Sequence, residues 1–225
     1  MTENELRKKF VDNAVAFLGT NERDGSHRQI IDIYNSITPL PRNYKMSYTD
    51  PWCAAFVSTV AKLSKMLSII PAECSCYYMV EAFKKMGRWE ERDDYTPTIG
   101  DIIFYDWADS GYPADNKGVP DHVGIVKSVN NAWITVIEGN YKDGVNERTI
   151  IVNAIYIRGY GRPDFASLSG ETTPWYETSG EWADATKIEL VDGKRPDAKA
   201  TRAEVAAIVL RAIDYIFQEV RKNGQ

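Results

Sequence analysis

An α+β fold is predicted for this chain, with helices first and an antiparallel sheet after them. Three observations predict it. Up to Gly87 the apolar residues recur at helical spacing, and after Arg92 they fall into short runs that alternate with period two. Glycine, proline and asparagine clusters separate the runs. Helical runs followed by strand runs, rather than regular βαβ alternation, place the chain in the α+β class.

The first helix is read over Thr2–Leu18, where Thr2 and Glu5 make a capping-box pattern. Leu6, Phe10, Ala14 and Phe17 share one face, and Gly19 is the stop. Thr20–Asp50 is polar and turn-rich, apart from a short helix candidate over Gln29–Ile37. Pro39, Pro41 and Asn43 then break regularity. In DPWCAAFVSTVAKLSKML, Asp50 suits a cap and Pro51 a first helical position, with Phe56, Val60, Leu63 and Leu67 as the apolar stripe. A further helix is expected over Cys76–Met86, carrying Tyr78, Val80 and Phe83 and ending at Gly87.

The strand runs are GDIIFYDW, HVGIVKSV, AWITVIEGN and TIIVNAIYIRGYGRP, expected to form a meander. The loop Asp109–Asp121 separates the first two, and Asn130–Asn131 turns the chain into the third. Arg162–Gly180 is rich in Pro, Gly, Ser and Thr, so the expected division is a domain over 1–165, a linker over 166–180 and a small module over 181–225. In that module Thr201 and Glu204 form a second capping box, followed by a helix with Val205, Ile208, Val209, Ala212 and Ile216 on one side. It is too short to hold much core alone and is expected to pack on the main domain or on copies of itself.

Composition narrows the function. The 225 residues are 44% apolar and 26% charged, ordinary for a globular protein. A net charge of -5 argues against nucleic acid as the main partner, because phosphate binding needs a basic face. MTENELRKKF lacks the apolar core of a signal peptide, and no apolar run is long enough to cross a membrane. The expectation is cytoplasmic synthesis, with release by another factor if the target lies outside the cell.

Cys53 falls in the first turn of its helix, where the positive end of the helix dipole favours a thiolate. The other reading is a buried helix cysteine. Cys74 and Cys76 flank Ser75, too close for an ordinary disulfide, and form no CxxC pair, so they read as small, partly buried thiols. Of the two histidines, His27 lies in the polar stretch ERDGSHRQ and reads as exposed and inert. His122 opens a strand, where an imidazole can meet a helix N-terminus. Glu138 closes the next strand and, with Asn140, is a candidate for orienting the ring; turn chemistry is the other reading of both.

The order of WCAAFV at Cys53, GDIIFYDW, DHVGIV at His122 and VIEGN at Glu138 resembles the CHAP amidohydrolases and peptidases. These are papain-like, cysteine-dependent peptidoglycan hydrolases, common in phage endolysins and bacterial autolysins. The resemblance covers roughly Val11–Phe165. It implies Cys53 as nucleophile, His122 as base, and Glu138 and Asn140 as polar partners of the imidazole. The implied reaction cuts an amide of the wall, as an N-acetylmuramoyl-L-alanine amidase or an endopeptidase. Some members bind calcium, but Asp24-Gly25 is too thin a signal for such a loop, and no cofactor or metal is expected.

GKRPDA and ATRAEVAAIVLRAI resemble one S-layer homology unit, which implies a secondary cell-wall polymer as a further partner. Such units usually occur in threes. A homotrimer would restore that number, and a structural helical hairpin is the other reading. Two rival functions stay open: a cysteine amidase acting on soluble peptides, and a non-catalytic wall-binding module.

Overall fold

In the computed structural model, the described residues are 1–92, 95–108, 118–170, 208–213 and 215. The chain divides into two compact units, Met1–Gly170 and Glu171–Gln225. Of the second unit only the helical residues 208–213 and residue 215 are described. There Val209 is exposed and Ile208 half-buried. The second capping box, Val205, Ile216 and most of the S-layer-like segment lie outside the described residues.

The first unit is α+β. Helices α1 (Glu3–Val15), α2 (Arg28–Asn35), α3 (Cys53–Ser64) and α4 (Cys76–Lys85) precede strands β1 (Trp89–Glu90), β2 (Ile102–Tyr105), β3 (His122–Asn130), β4 (Trp133–Tyr141), β5 (Gly144–Ile151) and β6 (Ile157–Gly161). A short helix, α5 (Phe165–Leu168), follows. The Thr2–Glu5 capping box is present: the Glu5 amide donates to Thr2 Oγ1, and the Thr2 amide donates to the Glu5 carboxylate.

The sheet order is β1-β6-β2-β3-β4-β5, antiparallel throughout. Strands β2 to β5 form the expected meander, but the last strand run is not one strand. A turn at Val152–Asn153 divides it, and β6 returns to the far edge of β2. Burial explains the return: Ile157 and Tyr160 join Ile103, Tyr105, Val126, Ile134 and Val136 in a core on one side of the sheet. The larger core lies under the helices and gathers Phe10, Ile30, Phe56, Val60 and Phe83 against Ile102, Phe104, Val123, Ile125 and Ile137.

Helix α3 differs from its sequence reading at both ends. Trp52 is the N-cap residue and Cys53 the first helical residue, so Asp50 and Pro51 precede the helix. The Asp50 carboxylate accepts instead from the Ser47 amide and hydroxyl and from Tyr44 Oη. Phe56 and Val60 are buried, but Leu63 and Leu67 are exposed at 45% and 36%. The helix needs no single stripe, because residues 53–61 are all buried between α1, α2 and the sheet. Lys65 then takes a left-handed conformation (φ 62°) and ends it. In α4 the buried residues are Cys76, Met79, Val80 and Phe83, whereas Tyr78 is exposed.

Candidate active site

Three elements meet at Cys53. Helix α3 supplies the thiol at its first turn, β3 supplies His122 as its first residue, and β4 supplies Glu138. Gly139 lets α3 lie close to β4, because a Cβ there would overlap Phe56 and stand 3.0 Å from the Trp52 ring. That approach sets the start of α3 beside the ends of β3 and β4.

His122 pairs with Tyr105 across the β2–β3 ladder, and their rings stack with centroids 5.9 Å apart. Glu138 is register partner to Gly124, two residues along from His122, so carboxylate and imidazole are diagonal neighbours on one face. The absent side chain of Gly124 leaves room for this reach: a Cβ there would stand 2.8 Å from Glu138 Cγ and 2.5 Å from Val136 Cγ1. His122 Nε2 and Glu138 Oε2 are 3.0 Å apart. This contact fixes the ring and leaves Nδ1 for exchange with the thiol.

Glu138 is wholly buried, and a buried carboxylate needs charge partners. Arg148, on β5, donates Nε to both of its oxygens at 2.7 and 3.0 Å. The guanidinium in turn lies 3.9 Å from the Tyr141 ring centroid and 4.5 Å from that of Trp107. Burial alone would raise the carboxyl pKa; the bonds from His122 and Arg148 outweigh it and hold Glu138 below its usual range.

The thiol is only 6% exposed. Cys76, the first residue of α4, sets its Sγ 3.6 Å from that of Cys53. A hydrogen bond from Cys76 is the largest influence on Cys53. Burial opposes it, but His122, by hydrogen bond and charge, and the Ala54 amide support it, and the pKa falls to about 5. Burial works against the imidazolium too, yet bonding to Cys53 and Glu138 carries His122 up to about 9. Near neutral pH the site therefore holds a thiolate–imidazolium pair. Cys76 keeps its proton: bonding to Cys53, burial and the neighbouring thiolate push it well above the ordinary thiol range.

Residues 43–140 match the CHAP domain. The CHAP segment contains Cys53, His122, Glu138 and Asn140, and β5 with Arg148 lies beyond it. No curated protein matches the chain. Two crystal structures of Ly7917 align with it, one of them with the hydrolysing product of MDP. Both have TM-scores of 0.42, at 16% and 18% identity, and cover 70% and 73% of this chain. The chain spans less than two thirds of their length, 62% and 63%.

Of the sequence-predicted residues, Cys53, His122 and Glu138 come together, and Asn140 does not make the expected contact. Register shifts between Glu138 and Tyr141, and Asn140 sits in that irregularity with φ 57°. Two-residue alternation therefore fails there, and among the described residues no hydrogen bond joins Asn140 to His122.

His27 is not an exposed loop residue. It is 5% exposed, precedes α2, stacks on Trp52 at 5.9 Å and holds the Tyr48 carbonyl at 3.1 Å through Nε2. The polar stretch around it conceals a ring packed against Trp52, the residue before Cys53.

Arg148 falls outside the strand runs marked by the sequence, because the last of them, TIIVNAIYIRGYGRP, starts at Thr149. The overlooked signal was Asp143-Gly144: Lys142 and Asp143, both with positive φ, make a tight turn between Tyr141 and Gly144. That hairpin puts Arg148 opposite Val136, on the face of Glu138.

Among the described residues no cluster of His, Cys, Asp and Glu is arranged to hold a metal. The Asp24 carboxylate accepts from the Ser26 amide and from Asn21 Nδ2, as in a side-chain-closed turn. Among the described residues no helix is long and apolar enough to cross a membrane.

Proposed function

We propose that this protein is a cysteine-dependent peptidoglycan hydrolase that cuts an amide of the bacterial wall through a thioester. The observation that carries the reading is the linked set of Cys53, at the start of the buried helix α3, with His122 and Glu138, within the CHAP-matching segment. In the first half-reaction Cys53 Sγ attacks the amide carbonyl carbon. Backbone N–H groups at the start of α3, including that of Cys53, stabilise the developing oxyanion in this reading. The His122 imidazolium gives its proton to the leaving amine, and the C–N bond breaks. In the second half-reaction His122 takes a proton from water, the hydroxide attacks the thioester, and the C–S bond breaks to restore the thiolate. Each step uses side chains, backbone and water, so the reading calls for no cofactor.

Peptidoglycan is the substrate this reading takes from the CHAP match, with an endolysin-like role in which another factor releases the protein to the wall. Exposed Tyr77 and Tyr78 directly follow Cys76; Arg42 lies 4.4 Å from the Tyr78 ring centroid, and Tyr77 offers a flat surface for a sugar ring. Within the same reading, residues 181–225 add affinity for a secondary wall polymer, and self-association through them would raise that affinity.

The test is clearing of purified cell walls, followed by mass spectrometry of the products. The wild type should clear them and Cys53→Ala should not. Equal clearing by both would overturn the reading. Cleavage of soluble muropeptides without clearing of walls would favour the soluble-peptide rival. A chain ended at Gly170 should keep cleavage of small fragments and sediment less with walls.

A further inference from the structure

The Cys53–Cys76 contact has a second chemical capacity. Both sulfurs are buried, at 6% and 8% residue exposure, and they lie 3.6 Å apart. Each cysteine is the first residue of a helix, α3 or α4. A disulfide needs the sulfurs to close to about 2.05 Å. A shift of this size is within reach of side-chain rotation and a small movement of one helix start. Cys74 is placed differently: it lies against Arg42, with Nη2 3.3 Å from its sulfur. Among the described residues Cys76 is therefore the thiol partnered with the nucleophile.

We propose that Cys53 and Cys76 form a peroxide-sensitive pair, in which Cys76 resolves oxidised Cys53 as a reversible disulfide and so protects the nucleophile while silencing it. The oxidant is hydrogen peroxide. The Cys53 thiolate attacks one peroxide oxygen, the O–O bond breaks, and the departing hydroxide takes a proton to become water. Cys53 is then a sulfenic acid. Cys76 sulfur attacks the Cys53 sulfur, the S–OH bond breaks, and the hydroxide leaves as water with the Cys76 proton. Two thiols and one peroxide give one disulfide and two waters.

The local electrostatics suit this order of events. In the resting site the bond to Cys53, burial and the Cys53 charge together keep Cys76 protonated, so the two thiols do not compete for oxidant. Formation of the sulfenic acid removes the charge on Cys53. The resolving thiol can then ionise, at the positive end of α4. Cys76 already stands 3.6 Å from the Cys53 sulfur, so resolution is intramolecular and precedes the encounter with a second peroxide. The carbonyl-attacking function of Cys53 belongs to the proposed hydrolase reaction; the redox pairing needs only its thiolate.

The test treats the full chain with stoichiometric hydrogen peroxide, blocks residual thiols under denaturing conditions and maps the peptides by mass spectrometry. A Cys53–Cys76 linked peptide, lost on dithiothreitol treatment, is the expected result. Sulfinic or sulfonic acid on Cys53 with no linked peptide would overturn the proposal, as would a Cys53–Cys74 link. Cys76→Ser should lose the link and accumulate sulfinic acid on Cys53, and Cys74→Ser should keep the link. If Cys76→Ser fails to fold by circular dichroism, Cys76→Ala serves, and the wild-type map decides by itself. Because the readout is covalent chemistry, it stands or falls separately from wall lysis. Where lysis is measured, peroxide should abolish it and dithiothreitol restore it in the wild type, and restoration should fail in Cys76→Ser.

Discussion

Arg148 Nε lies 2.7 Å from one Glu138 oxygen and 3.0 Å from the other, and that second oxygen lies 3.0 Å from His122 Nε2. The carboxylate is thus shared between a permanent cation and the imidazole. Removing either charge changes the ring through the carboxylate, not by touching substrate. Glu138→Gln should lower kcat by about 10- to 1000-fold, because the amide can still accept a hydrogen bond but no longer favours the imidazolium. Arg148→Met should cost less in kcat at neutral pH and should move the alkaline limb of the rate profile to higher pH, since Glu138 stays ionised there and a neighbouring cation that disfavours the imidazolium is gone. A purely structural role for Arg148 would leave that limb in place. Steady-state kinetics across pH with both variants measures the difference.

The pH profile of the wild type follows from two shifts of opposite sign. Cys53 is lowered to about 5, so the thiolate is lost by protonation as pH falls through that value. His122 is raised to about 9, so the proton that the proposed reaction gives to the leaving amine is lost as pH rises through that value. Rate should therefore form a plateau between about 5 and 9, with both limbs set by the pair acting together. Iodoacetamide alkylation of Cys53 should show the acid limb in the absence of substrate. Alkylation that follows an ordinary thiol titration near 8.5 would contradict the ion pair.

Two backbone positions separate side-chain roles from main-chain ones. Gly124→Ala puts a methyl group 2.8 Å from Glu138 Cγ and 2.5 Å from Val136 Cγ1, so the carboxylate must shift away from His122. A kcat loss of about 10-fold or more is expected, with overpacking that destabilises by roughly 1–3 kcal/mol. Asn140 has φ 57° and no bond to His122. Asn140→Gly should keep near wild-type kcat, whereas Asn140→Ala should lower stability by about 1 kcal/mol through the left-handed backbone. A large kcat loss in Asn140→Gly would restore the orienting role that the sequence pattern suggested.

His27 tests the packing behind Cys53. Its ring stacks on Trp52, whose indole Nε1 donates to Glu22 at 2.9 Å. His27→Ala should destabilise by about 1–3 kcal/mol, seen as a lower Tm, while the folded fraction keeps its pH limbs. His122→Ala should do the reverse: a small change in Tm and a loss of turnover nearly as deep as that of Cys53→Ala.

The α+β class, the placing of Cys53 in the first turn of a helix, the strand that His122 opens and the one that carries Glu138 were legible in the sequence. Each depends on local signals: helical or alternating apolar spacing, a thiol just after Asp-Pro-Trp, and turn residues between strands. The Thr2–Glu5 cap was legible for the same reason, since both partners lie within one turn. What depended on distant segments was not legible. The return of β6 to β2 is decided by which apolar faces remain to be covered on the sheet. The burial of His27 is decided by Trp52, and the exposure of Leu63 and Leu67 by where α1, α2 and the sheet stop covering α3. Cys76 had no local mark of function, because its partner sulfur is 23 residues away in sequence. Arg148 acquires its role only when β5 pairs with β4 and a buried carboxylate needs a second cation. Local periodicity encodes elements and their faces; the low dielectric and the register of the assembled sheet decide which charged and polar groups must meet.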